Sequence, residues 1–234
     1  MSHSLFVKIC GLTHPEQARA IAEMGVSAIG LIAVPASPRY VTPEQMRAIA
    51  TAVPAPTHTI GVFVDKAPDA IADIVRATGI TGVQLHGRET LADCAALKTA
   101  LPDILFIKAF RLRQASDLEA IAPYLPHVDA ILIDAYHPTL AGGTGQTADW
   151  NLLETTRFGK PWLLAGGLTP ANIPKALTSL TPDGIDLSSG VELSPGHKDL
   201  TKVRDLLDAL PATSSQLGNF SPPAIAFARN GANS

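Results

Sequence analysis

Two side chains of this sequence could exchange protons with a substrate, the thiol of Cys10 and the carboxylate of Asp134. Cys10 stands at the end of the apolar stretch 5–10, and Asp134 follows the apolar stretch 130–133. A carboxylate beside such a stretch costs free energy unless it is hydrogen-bonded or takes part in chemistry. A proton donor that faces a proton acceptor is the minimum equipment for an isomerisation by general acid and base. The pair therefore predicts that type of chemistry.

Both residues also have a purely structural interpretation. Free cysteine is among the most buried residue types, so Cys10 taken alone would more often be a packing residue. Asp134 taken alone could cap a helix or form a salt bridge. The chemical interpretation therefore requires that the two residues end strands at the same rim of one fold.

Two glycine-containing turns indicate what the substrate carries. Gly166 and Gly167 follow one apolar stretch, and Ser189 and Gly190 follow the next. In α/β barrels the loops after the last two strands commonly hold a phosphate on backbone amides and a helix N-terminus, although such turns also simply end strands. A phosphorylated substrate is therefore expected. The glycine-rich loop 137–146 follows the candidate acid, and we predict that it closes over the site.

Eight strand-and-helix units are predicted to position these residues. Each unit is a short apolar or β-branched stretch followed by apolar residues at helical spacing. The strands are predicted to begin near Leu5, Ala28, His58, Thr81, Asp103, Asp129, Pro161 and Asp183. One crossover helix per unit makes the strands parallel and the connections right-handed. The sequence thus predicts an α/β fold, a single-domain (β/α)8 TIM barrel, with a doubly wound open sheet as the competing architecture.

Helix signals and composition set the limits of this domain. Thr42 and Thr169 stand directly before a proline, Thr13 stands two residues before one, and all three are predicted N-caps. Residues at i, i+3 and i+4 spacing predict outward helix faces at Ala18, Ile21, Ala22, Ile71, Ile74 and Val75. The barrel is expected over residues 1–210. Residues 211–234 are rich in serine, asparagine, glycine and proline, which predicts a flexible tail.

The overall composition limits the class of partner. The chain has 234 residues and a formal net charge of -3, which leaves no basic surface for nucleic acid. It shows neither a secretory signal nor an apolar run of membrane length, so we expect a cytoplasmic protein without a membrane partner. Cys10 and Cys94 form neither a zinc-ligand spacing nor a disulfide framework, so no metal site is expected. A small molecule is the expected ligand, bound by a monomer or homodimer.

Seven motifs occur in order between residue 5 and about residue 210. They are Lys8–Thr13, Ser37–Val41, Gly61–Val64, Val83–Gly87, Gly142–Gly145, Ala165–Leu168 and Asp186–Glu192. Together they resemble the phosphoribosylanthranilate isomerase family of tryptophan biosynthesis, and seven motifs at matching spacings are far more specific than one. The resemblance implies an Amadori rearrangement of N-(5-phosphoribosyl)anthranilate to 1-(2-carboxyphenylamino)-1-deoxyribulose 5-phosphate, with neither a metal nor an organic cofactor.

The resemblance also implies roles for individual residues. The family's base falls on Cys10, its acid on Asp134, and a clamp for the anthranilate carboxylate on Arg39, whose planar guanidinium suits a carboxylate. A surface ion pair is the other interpretation of Arg39. Lys8 shares a strand face with Cys10 and is expected to stabilise its thiolate. The other implied substrate-binding residues are His86, Gly143, Gly145, Gly166, Gly167, Ser189 and Gly190.

Three other functions remain open at this point. A cofactorless sugar isomerase of histidine biosynthesis has a similar barrel, but both of its reactive groups are aspartates. A metal-dependent pentose-phosphate epimerase needs several ligands at strand ends, for which His86, Asp134 and Asp65 are not an obvious set. A non-catalytic phosphate-binding barrel is the alternative from another class, because fold does not fix function. The presence of both Cys10 and Asp134 argues against it.

Overall fold

The eight predicted strands form one closed parallel barrel in a computed structural model, which describes residues 5–112, 114, 116–135 and 151–210. The strands are β1 (Phe6–Cys10), β2 (Ala28–Ile32), β3 (His58–Phe63), β4 (Gly82–Leu85), β5 (Leu105–Arg111), β6 (Ala130–Asp134), β7 (Trp162–Ala165) and β8 (Gly184–Leu187). They pair in chain order, and β8 pairs with β1. This last pairing confirms the barrel and excludes the open sheet.

Helices connect the strands on the outside of the barrel. They are α1 (Pro15–Glu23), α2 (Pro43–Ala52), α3 (Pro68–Thr78), α4 (Leu91–Ala100), α5 (Ser116–Glu119), α6 (Asn151–Glu154), α7 (Ile173–Ser179) and α8 (Leu200–Asp208). The connection after β5 consists of the short α5 and a 3-10 segment, Ala122–His127, and so contains less regular helix than predicted. An antiparallel hairpin between β8 and α8, made of β9 (Glu192–Ser194) and β10 (His197–Lys198), was not predicted.

One of the three predicted N-caps is confirmed and two are wrong. Thr42 caps α2 in a reciprocal capping box. Thr13 does not cap α1, because its hydroxyl donates instead to the carbonyl of Gly196 at 2.8 Å. Thr169 lies in a turn ahead of α7, where it and Asn172 exchange side-chain-to-backbone hydrogen bonds, and Asn172 is the residue at the N-cap. Of the three threonines, Thr42 is therefore the N-cap itself, whereas Thr13 and Thr169 lie in the approach to a helix.

Side-chain alternation separates an inner from an outer core. The inner cluster fills the barrel and consists of Phe6, Ala28, Ile60, Leu105, Ile107, Ala109, Ala130, Leu132, Leu163 and Ala165. The outer cluster lies between strands and helices and includes the predicted faces of α1 and α3, with Ile74 only partly buried.

No helix in the described ranges has the length and apolar character to cross a membrane. The predicted lid, 137–146, and the predicted tail, 211–234, lie outside the described residues.

Candidate active site

A cavity of about 250 Å³ at the C-terminal ends of the strands brings the predicted acid and base together. It is lined by Cys10, Ile32, Val62, Gln84, His86, Asp134, Ala165, Gly166, Gly167, Leu168, Asp186, Ser188, Ser189 and Gly190. Parallel strands of a barrel all end at the same rim, which is why Cys10 and Asp134 meet although they lie far apart in sequence. Of the predicted site residues, Arg39 does not line the cavity, and Gly143 and Gly145 lie outside the described ranges.

The glycine turns form one wall of this cavity. Gly166 and Gly167 have φ values of 100° and 64°, a conformation that L side chains rarely adopt. A Cβ on Gly190 would collide with the carbonyl oxygen of Leu168, so the loops after β7 and β8 pack backbone against backbone. The turns do not open long helices directly, because α7 begins only at Ile173 and Ser189–Val191 is a single 3-10 turn. Backbone groups therefore dominate this wall.

His86 lies beside the candidate acid, and the two residues come from the ends of β4 and β6. Its Nε2 is 3.6 Å from Oδ2 of Asp134, which is close enough for an ion pair but longer than a hydrogen bond. The buried side chain of Glu89 holds the loop that carries His86, because it accepts hydrogen bonds from the backbone N–H of Gly87. Lys108 pairs with Glu89 at 3.2 Å. A buried ion pair therefore fixes the base of the loop.

Comparison with known proteins identifies the family to which this site belongs. Residues 7–209 match the family model described as N-(5'phosphoribosyl)anthranilate (PRA) isomerase. The chain is 53% identical over 218 residues to N-(5'-phosphoribosyl)anthranilate isomerase from Synechococcus sp. (strain JA-3-3Ab), which covers 93% of this chain and 96% of that relative. This chain belongs to the phosphoribosylanthranilate isomerase family.

Solved structures of the isomerase family have the same fold. The phosphoribosyl anthranilate isomerase from Thermotoga maritima superposes with a TM-score of 0.79 at 35% identity, covering 88% of this chain and 98% of that one. A phosphoribosyl anthranilate isomerase in complex with reduced 1-(o-carboxyphenylamino)-1-deoxyribulose 5-phosphate superposes with a TM-score of 0.77 at 33% identity and the same coverage. The architecture of this chain is therefore that of the isomerase family.

In this isomerase-family barrel the Cys10 thiol lies among buried charges. Lys8 Nζ donates to Asp186 Oδ1 at 2.9 Å, and both charged groups act on the thiol. Burial raises the pKa of the Cys10 thiol above its ordinary value, and Asp186 raises it further, whereas Lys8 and Lys198 lower it without cancelling the effect of burial. Lys8 thus acts on the thiol in the predicted direction. The net shift is nevertheless toward the neutral thiol.

Arg39 forms a forked ion pair with Glu192, a residue to which the sequence analysis assigned no role. Its Nε and Nη2 donate to the two carboxylate oxygens at 2.8 and 2.6 Å, and Lys198 Nζ donates to the same carboxylate at 2.6 Å. Burial alone would raise the pKa of Glu192, but the hydrogen bonds from Arg39 and Lys198 outweigh burial and lower the pKa to about 2. The Pro195-Gly196 dipeptide predicts the turn that brings Glu192 and Lys198 together.

Alkylation by iodoacetamide should be faster at Cys10 than at Cys94. Cys10 lines the cavity, whereas Cys94 is wholly buried on α4 and burial raises its pKa to about 11. Because the thiolate is the reactive form and burial raises the pKa of Cys10, labelling of Cys10 should keep accelerating as the pH is raised. Peptide mass spectrometry over time measures both rates. Equal rates at the two cysteines would contradict this prediction.

The substitution Glu192→Gln should destabilise the protein at neutral pH and much less in acid. The pKa of the carboxyl is about 2 in the folded state, against about 4.3 for an unperturbed glutamate. Its stabilising contribution is therefore complete above about pH 5 and lost as the pH falls toward 2, with an upper size of about 3 kcal/mol. Urea unfolding of wild type and variant across this range measures the difference, with Glu16→Gln on the exposed face of α1 as the control. A difference that does not change with pH would be incompatible with this explanation.

Proposed function

We propose that this protein converts N-(5'-phosphoribosyl)anthranilate to 1-(2-carboxyphenylamino)-1-deoxyribulose 5-phosphate, the isomerisation that serves tryptophan biosynthesis. One observation carries the proposal: in a chain of this family, Cys10 and Asp134 line one cavity that also contains two glycine turns. The related isomerase bound to the reduced form of that product supports it, because its ligand has the same chemistry. Acid, base and anion-binding groups are the parts that an Amadori rearrangement requires.

The reaction needs one proton donor and one proton acceptor in sequence. Asp134 protonates the furanose ring oxygen, so the bond from this oxygen to C1 breaks and the electron pair of the nitrogen forms a protonated Schiff base. Cys10, as the thiolate, then removes the proton from C2, and the electrons of that C–H bond move toward the nitrogen to give an enolamine. The enolamine gains a proton at C1 and loses one from the C2 hydroxyl, which leaves the ketone.

The positive charge of the Schiff base favours the thiolate of Cys10. Burial keeps the thiol neutral by raising its pKa, and the existing cations around it are already paired with carboxylates. A positive charge that arrives next to a thiol favours its thiolate. Ring opening by Asp134 therefore creates the condition under which the thiol loses its own proton to water and Cys10 becomes a base. This order prevents a reactive thiolate from persisting in the free enzyme.

The two substrate anions bind to different groups of residues. Gly166, Gly167, Ser189 and Gly190 hold the phosphate on backbone groups, and Gly143 and Gly145 join them as further substrate-binding positions. Arg39 binds the anthranilate carboxylate. Glu192 orients the guanidinium for this contact by accepting two hydrogen bonds from one of its edges. We further propose that the reaction needs no cofactor and that the protein is cytoplasmic. It has no nucleic-acid partner and is a monomer or a homodimer.

The substitutions Cys10→Ala and Asp134→Asn should each lower kcat by about a hundredfold or more, the usual contribution of a positioned acid or base. The assay follows the loss of fluorescence of freshly made phosphoribosylanthranilate, with and without a chelator. Cys94→Ala removes the other thiol from the same chain and is the matched control. Near-normal turnover in either variant would remove that residue from the mechanism, and activity that disappears with the chelator would favour the metal-dependent epimerase.

The substitution Arg39→Ala should mainly raise KM, because a contact made equally in ground and transition state leaves the chemical step unchanged. A charged hydrogen bond contributes roughly 1.5–3 kcal/mol, so kcat/KM should fall about ten- to hundredfold. Arg39→Lys keeps the charge without the fork and should lie between the two. On an analogue without the ring carboxylate, wild type and Arg39→Ala should perform alike; an equal loss on both compounds would rule out the carboxylate clamp.

A further inference from the structure

The side-chain amide of Gln84 is incompletely hydrogen-bonded inside the cavity. Gln84 lies on β4, is only 1% exposed and lines the cavity. Among the described residues, its Oε1 has no hydrogen-bond partner, and no other buried side-chain oxygen or nitrogen atom is in this position. Burying a polar atom without a partner costs free energy, and such atoms collect where function requires them. The amide therefore needs a functional explanation.

The other end of the amide contacts the histidine of the site. Gln84 Nε2 lies 2.9 Å from Nδ1 of His86. An amide nitrogen can only donate, so Nδ1 accepts, and the proton of the neutral ring must be on Nε2. This is the ring nitrogen that faces Asp134, at 3.6 Å from Oδ2. The structure places the amide nitrogen, and not the amide oxygen, toward His86, and this orientation sets the tautomer of the ring.

We propose that Gln84 is a positioning residue for Asp134 and acts by fixing the proton of His86 on Nε2. With the proton there, the ring can donate a hydrogen bond to the carboxylate that remains when Asp134 has given its proton to the substrate. This interaction favours the charged product of the transfer and so assists the acid step. With the proton on Nδ1, the ring would present a lone pair to the same carboxylate. The role in turnover rests on the proposed function, whereas the state of His86 does not.

Nitrogen NMR of the free protein labelled with 15N-histidine tests the contact directly, because the ring shifts distinguish the two neutral tautomers. The His86 signals are those that His86→Asn removes. Wild type should show the proton on Nε2, and Gln84→Met, which keeps the shape but not the hydrogen bond, should show a mixture of tautomers. Ile32→Val changes the same cavity at an apolar position and should leave the tautomer as in wild type. Identical His86 signals in wild type and Gln84→Met would overturn the proposal.

A double-mutant cycle tests the consequence for turnover. Gln84→Met should lower kcat by about tenfold, a fraction of what a positioned acid contributes, with a much smaller change in KM. In a His86→Asn background the same substitution should cost nothing further, because its effect passes through the ring. Equal losses in both backgrounds would overturn the proposal and assign Gln84 to packing or to direct substrate contact. A wild type without isomerase activity would overturn the proposed function and the turnover role, while the NMR result would still decide the His86 contact.

Discussion

Closure of the sheet between β1 and β8 is the constraint on which the rest of the structure depends. The two strands pair in parallel, with Lys8 opposite Asp186, and the side chains of this pair form an ion pair inside the barrel. A buried charge is tolerated only when its partner is in place, so neither residue could remain there in an open sheet. The same pairing sets the Cys10 end of the first strand beside the turn that carries Ser189 and Gly190. Closing the barrel and assembling the site are therefore one event.

The charges around Cys10 form two separate groups. Lys8 is compensated by Asp186, whereas Lys198 and Arg39 share the single carboxylate of Glu192, which leaves one positive charge in excess. Lys8 and Lys198 lower the pKa of the thiol, but burial is the largest influence and decides the direction of the shift. The barrel thus gains rigidity from its ion pairs without leaving a permanent thiolate in the cavity. In the proposed reaction, the charge that activates the thiol comes from the substrate itself.

The two walls of the cavity are built on different physical principles. The wall after β7 and β8 consists of backbone, and it requires glycine at Gly166 and Gly190 because the chain turns into the left-handed region or passes too close to a carbonyl. The wall after β4 and β6 consists of side chains, His86 and Asp134, and a buried ion pair beneath the His86 loop limits its movement. Backbone amides suit a phosphate that only needs to be held. Side chains that can gain and lose a proton suit a step in which a proton is transferred.

The sequence by itself determined the eight units, the rim positions of Cys10, His86 and Asp134, and the glycine turns after the last two strands. These features depend on local periodicity and on the rule that all strand ends of a parallel barrel face one side. The capping pattern was less reliable, because the hydroxyl of Thr13 found a partner in the hairpin far along the chain. Only the tertiary structure decided that Arg39 is paired with Glu192, that burial outweighs Lys8 at the thiol, and that the oxygen of the Gln84 amide has no partner among the described residues. The physical reason is that these properties belong to contacts between residues distant in sequence, or to burial in the assembled barrel, and neither leaves a periodic trace in the chain.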